Sequence, residues 1–147
     1  MIRKYTAKDK NGLIRLLKNH TPDYFAPSEE QDFIHYLNKE IQDYFVVEQE
    51  GVVLGGGGIN YFPKEKIARL SWDLIHPNYM GKGLGLELTK HRINHILKNK
   101  NADKIVVRTT QLVYRFYEKI GFKLDHTQKD FWAKGFDLYQ MERQINH

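Results

Sequence analysis

Along this chain the spacing of apolar side chains switches repeatedly between a period of two and a period near 3.6, and each switch marks a predicted element. Ile2 to Tyr5 alternates as a first strand. Thr6 to Asp9 has the form of a capping box, followed by Leu13, Ile14, Leu16 and Leu17 at helical spacing, and His20-Thr21-Pro22 stops that helix. After the loop Pro22–Pro27, Ser28 with Gln31 caps a second helix carrying Phe33, Ile34, Leu37 and Ile41 on one face. Tyr44–Glu48 and Val52–Tyr61 flank Gln49-Glu50-Gly51 as a hairpin, and Ile67–Ile75 follows the turn 63–66 as a fourth strand. A third helix carries Leu84, Leu88, Ile93, Ile96 and Leu97. Ile105-Val106-Val107 is a short strand buried on both faces. Val113, Phe116, Tyr117 and Ile120 form a short helix that Gly121 ends, and Phe122–Gln128 with Phe136–Glu142 is a closing strand pair.

The predicted order is β-α-α-β-β-β-α-β-α-β-β. It fits an α+β domain with a central, mostly antiparallel mixed sheet flanked by helices, and it lacks the regular alternation of a doubly wound sheet. The 147 residues suit one domain, with no repeat, linker or low-complexity tract. No apolar stretch is long enough to span a bilayer, and the first residues lack the apolar run of a signal peptide, so the expectation is a cytoplasmic protein without membrane contact. The absence of cysteine excludes disulfides, thiolate metal sites and a cysteine nucleophile. His91 and His95 lie at i, i+4 without a third ligand, so no metal is expected. A net charge of +5 is spread among interleaved acidic residues, which suits a small polyanionic ligand better than nucleic acid.

The segment that carries chemistry joins the fourth strand to the third helix: His76-Pro77-Asn78-Tyr79-Met80-Gly81-Lys82-Gly83-Leu84-Gly85. Alternate glycines let successive amides point to one side, and the free amides of a helix start add the positive end of its dipole. That arrangement suits a pyrophosphate, with Lys82 adding a charge. A P-loop is excluded because the Gly-Lys-Ser/Thr ending is missing, and a Rossmann fingerprint fails for want of its regular βαβ setting.

Ile75 to Leu88 resembles the coenzyme A motif of the GNAT N-acetyltransferases. Val113-Tyr114-Arg115-Phe116-Tyr117-Glu118-Lys119-Ile120-Gly121-Phe122 resembles that family's second signature, in the expected order and separation. The resemblance implies the GNAT acyl-CoA N-acyltransferase fold over 1–147, acetyl-CoA as acyl donor, and transfer of acetyl to a primary amine by direct attack. It implies that backbone amides of Gly81, Lys82, Gly83, Leu84, Gly85 and Leu86 cradle the pyrophosphate. The end of the fourth strand, Asp73-Leu74-Ile75, would pair with the pantetheine arm, with Thr110 and Tyr114 also touching the cofactor. Two positions depart from the family pattern. Met80 stands where Gln or Arg is usual, and Thr110 replaces the usual Asn ahead of the second signature.

An alkylamine with a pKa of about 10.4 costs roughly 4–5 kcal/mol to deprotonate at pH 7, so a base or a water chain is needed. Under the resemblance Tyr117 is the general acid for the departing thiolate; as a bare residue it also suits a core tyrosine at the spacing of Val113 and Ile120. Asp73 is the provisional base. Strict alternation puts it on one face with Arg69 and Ser71, where an ion pair with Arg69 is the competing role and a water relay the alternative. Tyr24, Phe25 and Trp132 are the acceptor-site candidates, and Asp130 and Asp137 are further groups for an amine. The run Gly55–Gly58 sits inside a strand pattern and indicates a bulge or a close backbone approach. A small-molecule amine is the expected acceptor, with a non-catalytic acyl-CoA-binding module as the alternative. Either a monomer or a homodimer is compatible.

Overall fold

The computed structural model describes residues 1–99 and 101–146. Seven strands form one sheet in the order β1-β2-β3-β4-β5-β7-β6, with β1 Ile2–Lys4, β2 Asp43–Gln49, β3 Val52–Phe62, β4 Ile67–Ile75, β5 Lys104–Thr109, β6 Lys123–Ala133 and β7 Phe136–Gln144. All ladders are antiparallel except β4 with β5. A parallel pair needs a crossover, which α3 (Leu84–Asn99) supplies. The other helices are α1 (Lys10–Asn19), α2 (Glu29–His35) and α4 (Tyr114–Glu118). The expected element order and the mixed, mostly antiparallel sheet are both present.

The two faces of the sheet bury different cores. Leu88, Ile93 and Ile96 of α3 pack with Ala68, Leu70, Ile105, Val107 and Met141 on one face. On the other, Leu13, Leu16 and Leu17 of α1 and Phe33, Tyr36 and Leu37 pack with Tyr44, Val46, Trp72 and Leu74. The second helix changes character at its end, where 36–40 is a single π-helical turn. That turn places Tyr36 beside Phe33 and Leu37 on the buried face, a position the spacing had left unassigned. Ser28 makes no capping bond; instead Glu29 Oε2 accepts from the Ala26 amide at 2.8 Å. At the first helix the expected capping box of Thr6 and Asp9 is present, with Asp9 Oδ2 accepting from the Thr6 amide at 2.8 Å.

The feature that shapes the cleft is a bulge in β4. Ser71 pairs with Gly58 and Leu74 with Gly56, so Trp72 and Asp73 oppose Gly57 alone. Trp72 takes φ of 51°, a conformation costly for a bulky residue. The extra residue reverses the alternation, and strict period two therefore fails here. Leu70 faces α3, Trp72 and Leu74 face α1 and α2, and Asp73 turns to the α3 side, away from Arg69. The bulge also bends β4 out of its ladder with β5. Their pairing runs only from Ile67 with Lys104 to Leu70 with Val107, and beyond it the strands diverge.

The glycine run is explained by close approach from both sides, combined with this bulge. A Cβ on Gly57 would lie 2.7 Å from the Arg92 guanidinium carbon, and one on Gly56 would lie 2.6 Å from the Tyr44 ring. The helices can press against β3 only because those side chains are missing.

Candidate active site

Where β4 and β5 part, a cleft of about 670 Å³ opens through the sheet, within the usual size range of small-molecule sites. One wall is the start of α3. Gly81 and Gly83 adopt φ of 76° and 88°, with open space where a Cβ would stand. Among the described residues, the amides of 81–86 donate no hydrogen bond of ordinary geometry within the protein. Six free amides at the positive end of a sixteen-residue helix form an anion cradle. Met80 is 43% exposed beside this turn, and Lys82 lies 5.9 Å from the Tyr79 ring centre.

The middle of the cleft is held by three side chains from three elements. Arg92 of α3, fully buried, donates to Asp73 Oδ1 at 2.6 Å and to Oδ2 at 2.8 Å, a bidentate pair. It also donates to the Gly58 carbonyl at 3.1 Å. Tyr117 donates its hydroxyl to Asp73 Oδ2. The carboxylate partner is thus Arg92 and not Arg69, and both Asp73 oxygens are engaged. Burial, reinforced by the adjacent Asp73 charge, pushes the Tyr117 pKa well above that of an ordinary phenol. Arg92 stays firmly protonated, because the Asp73 charge and hydrogen bonds outweigh the burial that opposes it.

The remaining predicted residues divide clearly. Leu74, Ile75, Met80, Gly81, Gly83, Gly85, Leu86, Thr110 and Tyr117 line the cleft, as do Tyr24, Phe25, Asp73 and Trp132. The rings of Phe25 and Trp72 stack with centres 6.3 Å apart, while Trp132 donates to the Thr109 carbonyl at 3.3 Å. Lys82 and Leu84 are not among the lining residues, although their amides belong to the same run without acceptors in the protein. Tyr114 is also outside the lining, its ring packed on Tyr139 with centres 4.6 Å apart. Asp130 and Asp137 serve the closing hairpin. Asp137 Oδ1 accepts from the Asp130 amide at 2.9 Å, and Asp130 Oδ1 accepts from the Gly135 amide at 2.7 Å.

Several cleft groups escaped the sequence reading. His20 shares a hydrogen bond with the Ile75 carbonyl and fixes the end of β4. Glu29 is buried on the cleft wall, and burial raises its carboxyl pKa. Arg69 and Arg108 also line the cleft. Arg92 had a readable signal: it stands between Leu88 and Ile96 on the apolar stripe of α3, opposite a strand stripped to glycine. His91 and His95 pack edge-on against Phe45, and among the described residues no group of three or more metal-ligating side chains assembles.

A mixed sheet parted between its two parallel strands, with a free helix N-terminus at the opening, defines a class of protein that binds a phosphorylated ligand through the sheet. The model of the acetyltransferase (GNAT) family matches residues 11–122, and the chain belongs to that family. Its relatives include an amino-acid acetyltransferase of Actinobacillus pleuropneumoniae serotype 5b (strain L20), 31% identical over 134 residues. That match covers 86% of this chain and 28% of the relative. The amino-acid acetyltransferase of Mannheimia succiniciproducens is 26% identical over 147 residues, covering 97% of this chain and 31% of the relative. The chain therefore spans under a third of the length of these relatives. Among solved structures, the ribosomal-protein-S18-alanine N-acetyltransferase of Escherichia coli aligns with a TM-score of 0.82 at 18% identity, covering 100% of this chain and 94% of that one. An aminoglycoside 6'-N-acetyltransferase complexed with coenzyme A gives 0.79 at 14% identity, covering 100% and 98%. At such identities the likeness is one of fold.

Proposed function

We propose that the chain is an acetyl-CoA-dependent N-acetyltransferase acting on a small-molecule amine. The observation that carries this reading is the meeting, in one cleft, of the free 81–86 amides, the unpaired edges of β4 and β5, and the Tyr117 hydroxyl. Fit to the donor is supported on two counts. The cradle has φ values and open space that admit phosphate oxygens against the backbone, and β4 beyond Leu70 has an unladdered edge for an amide-bearing arm. The coenzyme A bound in the aminoglycoside enzyme supports the donor, and the amino-acid acetyltransferase relatives support a small acceptor, while the ribosomal-protein enzyme shares only the fold.

Bound in this way, the donor supplies an activated acetyl carbonyl, and the remaining work falls to the protein. Tyr117 stays protonated across the working pH range, and to protonate the departing thiolate its single hydroxyl proton turns from Asp73 to the sulfur. Asp73, provisionally the base, is better read as a positioning residue: with both oxygens engaged it orients the Tyr117 hydroxyl and leaves amine deprotonation to water in the open cleft.

The test is thiol release from acetyl-CoA over a panel of amines, with the acetylated product identified by mass spectrometry. Tyr117→Phe is expected to lower kcat by about a hundredfold while acetyl-CoA affinity stays within about threefold. Binding of acetyl-CoA with no thiol release for any amine would instead make the chain a non-catalytic acyl-CoA-binding module.

A further inference from the structure

The acceptor side of the cleft carries two arginines, Arg69 and Arg108, that form no close ion pair, although Glu29 and Glu40 line the same cleft. Arg69 stands on β4 opposite Val106, and Arg108 is two residues further along β5, so both leave the sheet on the face of α1 and α2. Each guanidinium carbon lies over aromatic rings: Arg69 Cζ is 4.8 Å from the Phe62 centre, and Arg108 Cζ is 4.9 Å from that of Phe131 and 5.4 Å from that of Trp132. These cation–π contacts use none of the guanidinium N–H donors. Among the described residues neither has a carboxylate within 4 Å, and neither donates a side-chain hydrogen bond. Burial lowers the pKa of both guanidiniums, and at Arg69 the Arg108 charge adds to that effect. Glu40 acts on Arg69 only from a distance, and Asp73 is committed to Arg92.

A second observation is independent of charge. Two buried side-chain atoms among the described residues have no hydrogen-bond partner, the Tyr36 hydroxyl and Arg108 Nε, and both residues line this cleft. Tyr36 is only 4% exposed, and a buried hydroxyl left unpaired costs about 1–3 kcal/mol. The orphaned Tyr36 hydroxyl beside two guanidiniums, one of them with its Nε unpartnered, describes a receptor for a planar anion that accepts several hydrogen bonds.

We propose that the acceptor is an amino acid, a small amine whose carboxylate is received by Arg69 and Arg108 with the Tyr36 hydroxyl as a further donor. This rests on the N-acetyltransferase reading above and names the chemical class of its acceptor. The carboxylate end docks on the α1–α2 face, which leaves the amine free to enter the gap between β4 and β5.

The experiment compares matched acceptors with the wild-type chain at saturating acetyl-CoA: free L-amino acids, their carboxamides, and the corresponding decarboxylated amines. At least one amino acid is expected to be acetylated with kcat/KM tenfold or more above its carboxamide and its amine. Arg69→Gln and Arg108→Gln are each expected to raise KM for that acid at least tenfold, change kcat less, and shrink the acid-to-amide ratio towards one. Equal or better turnover of the carboxamides or amines, with efficient acetylation, would overturn the proposal and leave the N-acetyltransferase reading intact. Absence of thiol release from every amine, despite acetyl-CoA binding, would overturn both. If either Gln variant fails to fold, Arg69→Lys and Arg108→Lys keep the charge without the planar fork, and an unchanged acid-to-amide ratio in both would count against the assignment.

Discussion

On the proposed reading, the two halves of the cleft recognise their ligands by different means. The donor half is backbone: amides of 81–86, held open by two positive-φ glycines and the start of one helix, with side chains contributing little. The acceptor half is side chains from segments far apart in sequence, with Tyr36 after α2, Arg69 on β4, Arg108 on β5 and Trp132 on β6. Between them, Asp73, Arg92 and Tyr117 form a partition built from three elements. The contrast teaches that a ligand common to a whole family is read by a local, contiguous motif. A ligand particular to one member is read by tertiary contacts that each sequence composes afresh.

Perturbing the partition should damage both halves together. Asp73→Ala leaves the fully buried Arg92 without a counter-charge, and about 3–5 kcal/mol of stability should be lost in urea unfolding. A variant that folds with normal stability and loses only activity would restore Asp73 as a simple base. Perturbing the donor half should be selective. Gly83→Ala places a Cβ in open space but forces an L-residue to φ of 88°, at about 1–2 kcal/mol. Acetyl-CoA affinity should fall about tenfold by calorimetry, with acid-to-amide selectivity unchanged. The smallest effect lies outside both halves. Asp9 is held below the usual carboxylate pKa chiefly by its hydrogen bonds to Arg3. Its contribution to stability is therefore present above the unfolded value of about 3.9 and is lost as pH falls through the lower folded value. Asp9→Asn should flatten the acid limb of the pH–stability curve and leave kcat and both affinities near wild type.

The same division explains what could be read from sequence. The element order followed from periodicity, since most helices and strands bury one face, with β5 buried on both and β6 largely exposed. The 81–86 turn was legible from its glycine spacing, and its reading as a cradle from the resemblance it shares with the Phe116–Phe122 signature. The bulge at Trp72 was invisible, because no glycine or proline marks it and a tryptophan at positive φ contradicts local preference. Strict alternation through that point put Asp73 on the wrong face and paired it with the wrong arginine. Tyr36, Arg69 and Arg108 were missed for a different reason: they become a group only when β4, β5 and the π turn are brought together. Arg92 was within reach, since a charged residue on an apolar helix stripe facing a glycine run asks for a buried partner.

Amide hydrogen exchange with and without acetyl-CoA tests the central claim most directly, because it reads the backbone that is said to hold the donor. The amides of Gly81, Lys82, Gly83, Leu84, Gly85 and Leu86 have no acceptor in the protein and should exchange fast in the free chain, then become the most strongly slowed on binding. Acetyl-CoA bound with exchange at 81–86 unchanged, and protection appearing elsewhere, would contradict the account.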